Sequence, residues 1–206
     1  KAFIQPLQSL AEFEQIQKCA GENRGIMEIS GCIESQKVHM MYGLSGLFPS
    51  HLILAEDEKR AKEIYEDYRF YDKEVYYYPA KDLLFFQADI HGNLLIRQRM
   101  QVIKALLEKE RITVVTSIDG CMDFLLPLEE IKKSLIHYES DSPIDLDALK
   151  GSLVALGYER VGQVEMPGQF SVRGGIIDIY SLTEENPWRI ELWGDEIDSI
   201  RSFDAE

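Results

Sequence analysis

The chain has 206 residues, 45% of them hydrophobic, and a formal net charge of −14. That size suits one or two domains with packed cores, and no apolar run approaches the ~18 residues of a membrane span. Residues 121–206 carry 7 basic against 18 acidic side chains, so they hold no cluster of Lys and Arg able to neutralise nucleic-acid phosphates.

The opening Lys1-Ala2-Phe3-Ile4 has no long apolar stretch such as a secretory leader needs. With no initiator Met and a charged end at Asp204-Ala205-Glu206, the chain reads as a piece of a longer, cytoplasmic protein. Leu7, Leu10, Phe13 and Ile16 fall at helical spacing over Leu7 to Cys19. Cys19, Cys32 and Cys121 are odd in number and widely spaced, which reads as reduced thiols rather than disulfides or a zinc site. Val38 to Tyr42 and His51 to Ala55 read as strands. The acidic start Glu56-Asp57-Glu58 opens a helix through about Phe70. Val75 to Tyr78 reads as a strand, Leu94 to Glu108 as a long helix, and Ile112 to Thr116 as a short apolar strand. This alternation predicts a parallel α/β sheet.

The character changes near residue 120. Leu128 to Lys133 reads as a short helix and Ser134 to Glu139 as a strand. Asp145 to Leu156 reads as a helix closed by Gly157. Val161 to Met166, Phe170 to Val172, Ile176 to Tyr180 and Trp188 to Trp193 are strand-like, separated by Pro167-Gly168 and by Glu184-Glu185-Asn186-Pro187. The expected organisation is an α/β domain over 1–120 and a small antiparallel α+β domain over 121–206.

The most distinctive segment is Gly168-Gln169-Phe170-Ser171-Val172-Arg173-Gly174-Gly175-Ile176-Ile177-Asp178-Ile179-Tyr180. It is followed by Trp188-Arg189-Ile190-Glu191-Leu192-Trp193-Gly194-Asp195-Glu196-Ile197-Asp198-Ser199-Ile200-Arg201. With the Leu146 to Tyr158 lead-in, these segments resemble the UvrA-binding domain shared by UvrB and the bacterial transcription-repair coupling factor (Mfd) family. The first 120 residues resemble the helicase-like α/β domain that precedes it.

A Walker A loop needs glycines to cradle phosphates and a Lys-Ser/Thr pair to hold phosphate and Mg²⁺. Here Val38 to Tyr42 is followed by Gly43-Leu44-Ser45-Gly46-Leu47-Phe48-Pro49. No such pair follows, and Pro49 would disturb the helix start that holds phosphate. The expected first domain is therefore helicase-like but without a functional Walker A motif. Tyr76-Tyr77-Tyr78-Pro79 leads within about fifteen residues into the helix near Leu94, too little for the DNA-clamping hairpin of UvrB. Both departures point to the N-terminal UvrB-homology module of the coupling factor rather than to UvrB.

The resemblance implies a non-catalytic docking module for UvrA, with no cofactor and no metal. Phe170 and Val172 share one face of a strand, and Ser171 and Arg173 the other. By resemblance Arg173 is the leading contact, and Ser171 stands where UvrB commonly has a second arginine; Arg160 is the next candidate, with Arg189 and Arg201 weaker. The competing reading of Arg173 is an ion pair with Asp178 or Glu191. Gly174 and Gly175 suggest a turn or bulge that aims the arginine. Trp188 and Trp193, five apart, lie on opposite faces, so one is expected in the core and the other is open to the binding patch. The full-length parent is expected to be an ATP-dependent DNA translocase that meets RNA polymerase and DNA through parts outside this chain.

Two alternatives stand beside docking to UvrA. One is a UvrB-like DNA-binding module, drawing on Arg97, Arg99, Lys104, Lys109 and Arg111. The other is an intramolecular restraint of the parent's motor domains. Catalysis within the chain has no support: His39, His51, His91 and His137 form no metal-ligand pattern, and no GxSxG or HExxH occurs.

Overall fold

The computed structural model describes residues 3–22, 25–81, 89–133 and 135–205. The chain divides into two compact units, Lys1–Leu83 with Gln101–Phe124, and Leu84–Met100 with Leu125–Glu206.

The first unit runs α1 (Gln5–Gln8), α2 (Ala11–Glu22), α3 (Glu34–Ser45), β1 (Ser50–Ala55), α4 (Glu58–Tyr68), β2 (Val75–Tyr78), α5 (Asp89–Glu108, shared with the second unit), β3 (Ile112–Ser117) and α6 (Ile118–Cys121). The three strands form a parallel sheet in the order β1-β3-β2. Successive side chains alternate between its faces. Ile53, Val115 and Val75 pack with Ala61, Ile64 and Tyr68 of α4 and Val38 of α3. Ile112 and Val114 pack with Val102 and Ala105 of α5. α4 starts where Asp57 caps it, its carboxylate accepting from Arg60 N at 2.7 Å.

The segment Val38 to Tyr42 is not a strand but the middle of α3. Its flanking Gln36 and Lys37 and its own Met40 and Met41 are good helix formers. Its apolar residues serve two faces at once, Val38 and Tyr42 towards α4 and Met40 and Leu44 towards Leu7 and Phe13. Gly43 therefore lies inside a helix rather than in a phosphate loop. It is the point where α3 closes on α1 and α2. A Cβ there would collide with the Leu7 side chain and sit 2.9 Å from Phe13 Cζ.

The second unit adds α7 (Leu128–Lys133), α8 (Leu146–Ala155), β4 (Glu159–Arg160), β5 (Gln169–Arg173), β6 (Ile176–Tyr180), β7 (Trp188–Trp193) and β8 (Glu196–Ser202). Its sheet runs β4-β5-β6-β7-β8, antiparallel except for the short β4–β5 pair. One face carries Phe170, Ile177, Ile190 and Ile197, which pack with Leu149 and Leu153 of α8 to make the core. Asp145 caps α8, accepting from the backbone N–H of Asp147 and Ala148.

Two expectations fail in this unit, and one strand was not anticipated. Residues 135–139 form no strand, and Ser134 lies outside the described residues. Val161 to Met166 is a loop: β4 ends at Arg160, and Gln169 Oε1 instead accepts from Glu165 N and Met166 N. β8, not anticipated, pairs along the whole of β7. Among the described residues, no helix is long and apolar enough to cross a membrane.

Candidate functional site

The sheet face opposite α8 is built by register. Gly174 (φ +60°) and Gly175 make a two-residue turn that sets Arg173 opposite Ile176 and Ser171 opposite Asp178. Asp178 then faces Arg189 on β7, and Arg189 faces Arg201 on β8. Ser171, Asp178, Arg189 and Arg201 thus form one row across four strands. The next row is Arg173, Ile176, Glu191 and Ser199.

The charges in these rows are paired. Arg189 holds Asp178 at two points, Nε to Oδ1 at 2.7 Å and Nη2 to Oδ2 at 2.9 Å. Arg173 Nη2 donates to Asp178 Oδ2 at 2.7 Å. Asp178 itself is only 1% exposed. Its burial alone would raise its pKa, but the hydrogen bonds and charge of Arg189, then of Arg173, outweigh that and hold the carboxyl below its ordinary value. Arg189 is further fixed with its guanidinium carbon 4.5 Å from the centre of the Phe203 ring. Arg201 pairs with Glu191 Oε1, while Ser199 Oγ donates to Oε2 of the same carboxylate at 3.0 Å.

The sequence candidates separate in this frame. Arg173 and Arg189 come together on Asp178, with side chains 50% and 26% exposed. Ser171 is 1% exposed, and its hydroxyl donates to Gly162 O at 2.9 Å, so the 161–168 loop covers it from a partner. Arg160 is exposed on β4 but pairs in register with Phe170, a core-face residue, and is not in the Arg173 row. Neither tryptophan is in the core. Trp188 is 37% exposed, and Trp193, on the outer face beside the Gly194-Asp195 turn, is 83% exposed. Sequence reasoning treated Asp178 only as a surface partner for Arg173. The two-residue Gly174-Gly175 turn was the available signal, because it fixes the register that puts Asp178 between two arginines.

In the first unit, the carboxyl ends of parallel strands are where ligands bind in open α/β sheets. Here Glu58, at the start of α4, accepts Tyr77 Oη at 2.5 Å and also Ser117 Oγ. Burial first, and then the Glu58 hydrogen bond, push the Tyr77 hydroxyl pKa well up. Elsewhere a cavity of about 180 Å³ is lined by His51, Arg111, Asp72 and Glu74 among others. Among the described residues, no cluster of His, Cys, Asp and Glu has the form of a metal site.

A family model described as the UvrB interaction domain matches residues 136–206, which include α8 and the whole five-stranded sheet. A transcription-repair-coupling factor of Bacillus subtilis is 36% identical, over 86% of this chain and 16% of its own length. Relatives of the same description from Staphylococcus epidermidis and Staphylococcus haemolyticus are each 38% identical. The first covers 66% of this chain and 12% of itself, the second 65% and 11%. The chain therefore spans a sixth or less of the length of these curated relatives. Residues 136–206 match the model of the UvrB interaction domain, in a chain similar over most of its length to transcription-repair-coupling factors.

Proposed function

We propose that this chain is a non-catalytic docking module that binds UvrA through the outer face of its second-unit sheet. It would thereby recruit nucleotide excision repair to stalled transcription. The carrying observation is the Arg173–Asp178–Arg189 trio, a net positive group with Arg173 half open to solvent on an otherwise acidic unit. Arginines with planar, multi-donor heads suit interface hot spots. Trp193, 83% exposed on the same face at the other end of β7, supplies an apolar anchor. Arg160 is a peripheral contact in this reading, and Ser171 ties β5 to the 161–168 loop.

Several observations support the non-catalytic part. The helix start that would hold a nucleotide phosphate carries Glu56, Asp57 and Glu58 instead, and a carboxylate there repels phosphate. Gly43 is committed to helix packing. The DNA-binding alternative is weakened because its basic residues are engaged. Arg97 pairs with Glu185 and Lys109 with Glu74, Arg111 donates to Ser45 O, and Arg99 is buried. On this reading the chain is cytoplasmic, and ATP-dependent translocation and contact with RNA polymerase and DNA reside elsewhere in the parent protein.

Binding of the chain to purified UvrA, wild type against Arg173→Ala, tests the proposal, with circular dichroism to confirm folding. Loss of a central interface arginine costs at least about 2 kcal/mol, roughly a thirtyfold weaker Kd. Equal binding of a folded variant removes Arg173 from the site. No binding by wild type removes the docking reading and leaves restraint of the parent's motor domains.

A further inference from the structure

Asp178 cannot touch a partner, being 1% exposed, yet two guanidiniums converge on it. A carboxylate taken out of water needs such partners to stay ionised, and here it gets three N–H donors. The reverse consequence matters more for binding. An arginine side chain carries several rotatable bonds, and immobilising it on association costs affinity. Asp178 has already immobilised two of them. It grips Arg189 at two points, with the Phe203 ring 4.5 Å from the guanidinium carbon. It holds Arg173 by one Nη2 contact. A guanidinium has five N–H donors, so most of those on Arg173 remain directed away from Asp178.

We infer that Asp178 is a positioning residue for docking: it fixes Arg173 and Arg189 so that their remaining donors meet a carboxylate-bearing surface of the partner. The proposal rests on the docking reading above. It assigns the trio one job beyond the stability of the sheet, and it gives the partner's contact surface an acidic character. Glu191 does not compete for these donors, because it is taken by Arg201 and Ser199.

The test uses the 206-residue chain. Asp178→Asn is compared with wild type and in an Arg173→Ala/Arg189→Ala background, for UvrA binding and for exchange of the arginine Nε–H protons by NMR. Asp178→Asn is expected to weaken binding about tenfold in wild type and less than about twofold in the double-alanine background. The Arg189 Nε–H is expected to be protected in wild type and labile in Asp178→Asn. An equal loss in both backgrounds would show that Asp178 acts only through the fold and overturns the proposal, as does an Arg189 Nε–H in wild type as labile as in free arginine. If Asp178→Asn does not fold, Arg189→Lys keeps the cation and removes the two-point grip. It must weaken binding several-fold, and wild-type affinity in that variant sinks the inference. If wild type fails to bind UvrA while its Arg189 Nε–H is protected, the docking reading has failed and the positioning of the arginines has not.

Discussion

Gly43 of α3 faces Phe13 of α2 so closely that an added Cβ would lie 2.9 Å from Phe13 Cζ. Gly46, three residues on, has nothing within 4 Å of the equivalent point and an ordinary helical φ of −66°. The two glycines that look like one motif in sequence therefore have different jobs. Gly43→Ala should destabilise the first unit by about 1–3 kcal/mol through overpacking. Gly46→Ala should change it by no more than about 0.5 kcal/mol. Amide exchange in β1 and β3 measures both. Equal effects would mean that helix closure is not what Gly43 serves.

Arg173 and Arg189 share one carboxylate but not one burden. Removing Arg189 strips Asp178 of its two-point partner and should cost about 3 kcal/mol, the scale for leaving a buried charge short of partners. Removing Arg173, whose side chain is 50% exposed, should cost no more than about 1 kcal/mol. Both tryptophans lie in the second unit, so their emission reports its urea unfolding directly. If Arg173→Ala proves the more damaging, the assignment of structural and docking arginines must be reversed.

His51 sits in the wall of the first unit's cavity, its Nε2 buried and without a hydrogen-bond partner among the described residues. Burial first, and then the charge of Arg111, lower its pKa from 6.5. Above about pH 6.5 the ring is neutral folded and unfolded, and it leaves stability unchanged. As pH falls from there through the lower folded value, the unfolded chain takes up the proton first and stability is lost. His51→Gln should flatten the decline of first-unit stability below about pH 6.5, as read by urea midpoints in acidic buffers.

Trp193 has 83% of its surface exposed on the outer face. Trp193→Ala should leave the urea midpoint of the second unit within about 0.5 kcal/mol of wild type while weakening UvrA binding about tenfold or more. In a Trp188→Phe background the Trp193 emission should shift to shorter wavelength when UvrA is added. A shift of neither kind would take Trp193 out of the interface.

Much of the fold is written locally. β1, β2, β3, α4 and α5 follow from apolar spacing and from an acidic, capped helix start, and the core of the second unit follows from alternation in Phe170 to Val172 and Ile176 to Tyr180. The failures have specific causes. Val38 to Tyr42 is a short apolar run, and such runs do not declare their period; its helix is settled by two cores that touch it on different sides. β8 hid because its alternation is broken. Leu192 pairs with Ile197 and Ile190 with Ile200, with an irregularity at Asp198 between them, so two isoleucines three apart both face the core. The faces of Trp188 and Trp193 were legible, but their burial was not, because each stands at an end of β7 where the core packing runs out. At the site, Arg173 was named by resemblance and Arg189 only as a weaker candidate, whereas Ser171 is covered by the 161–168 loop, whose Val161 to Met166 reads as a strand in sequence and is not one.

The last strand has one more neighbour than the sheet order suggests. Asp141 N donates to Ile197 O, Ile197 N to Ser142 O and Ile144 N to Asp195 O, with a bridge between Pro143 and Glu196. The residues leading into α8 are thus laced to the far edge of the sheet, across more than fifty positions of sequence. Such a lacing closes off the start of β8 as a template for stray strands. It also sets an order of events during synthesis. Because non-local pairings wait on their partners, the segment before α8 stays unanchored on the ribosome until the hairpin after Trp193 has emerged, and only then can this domain lock as a whole.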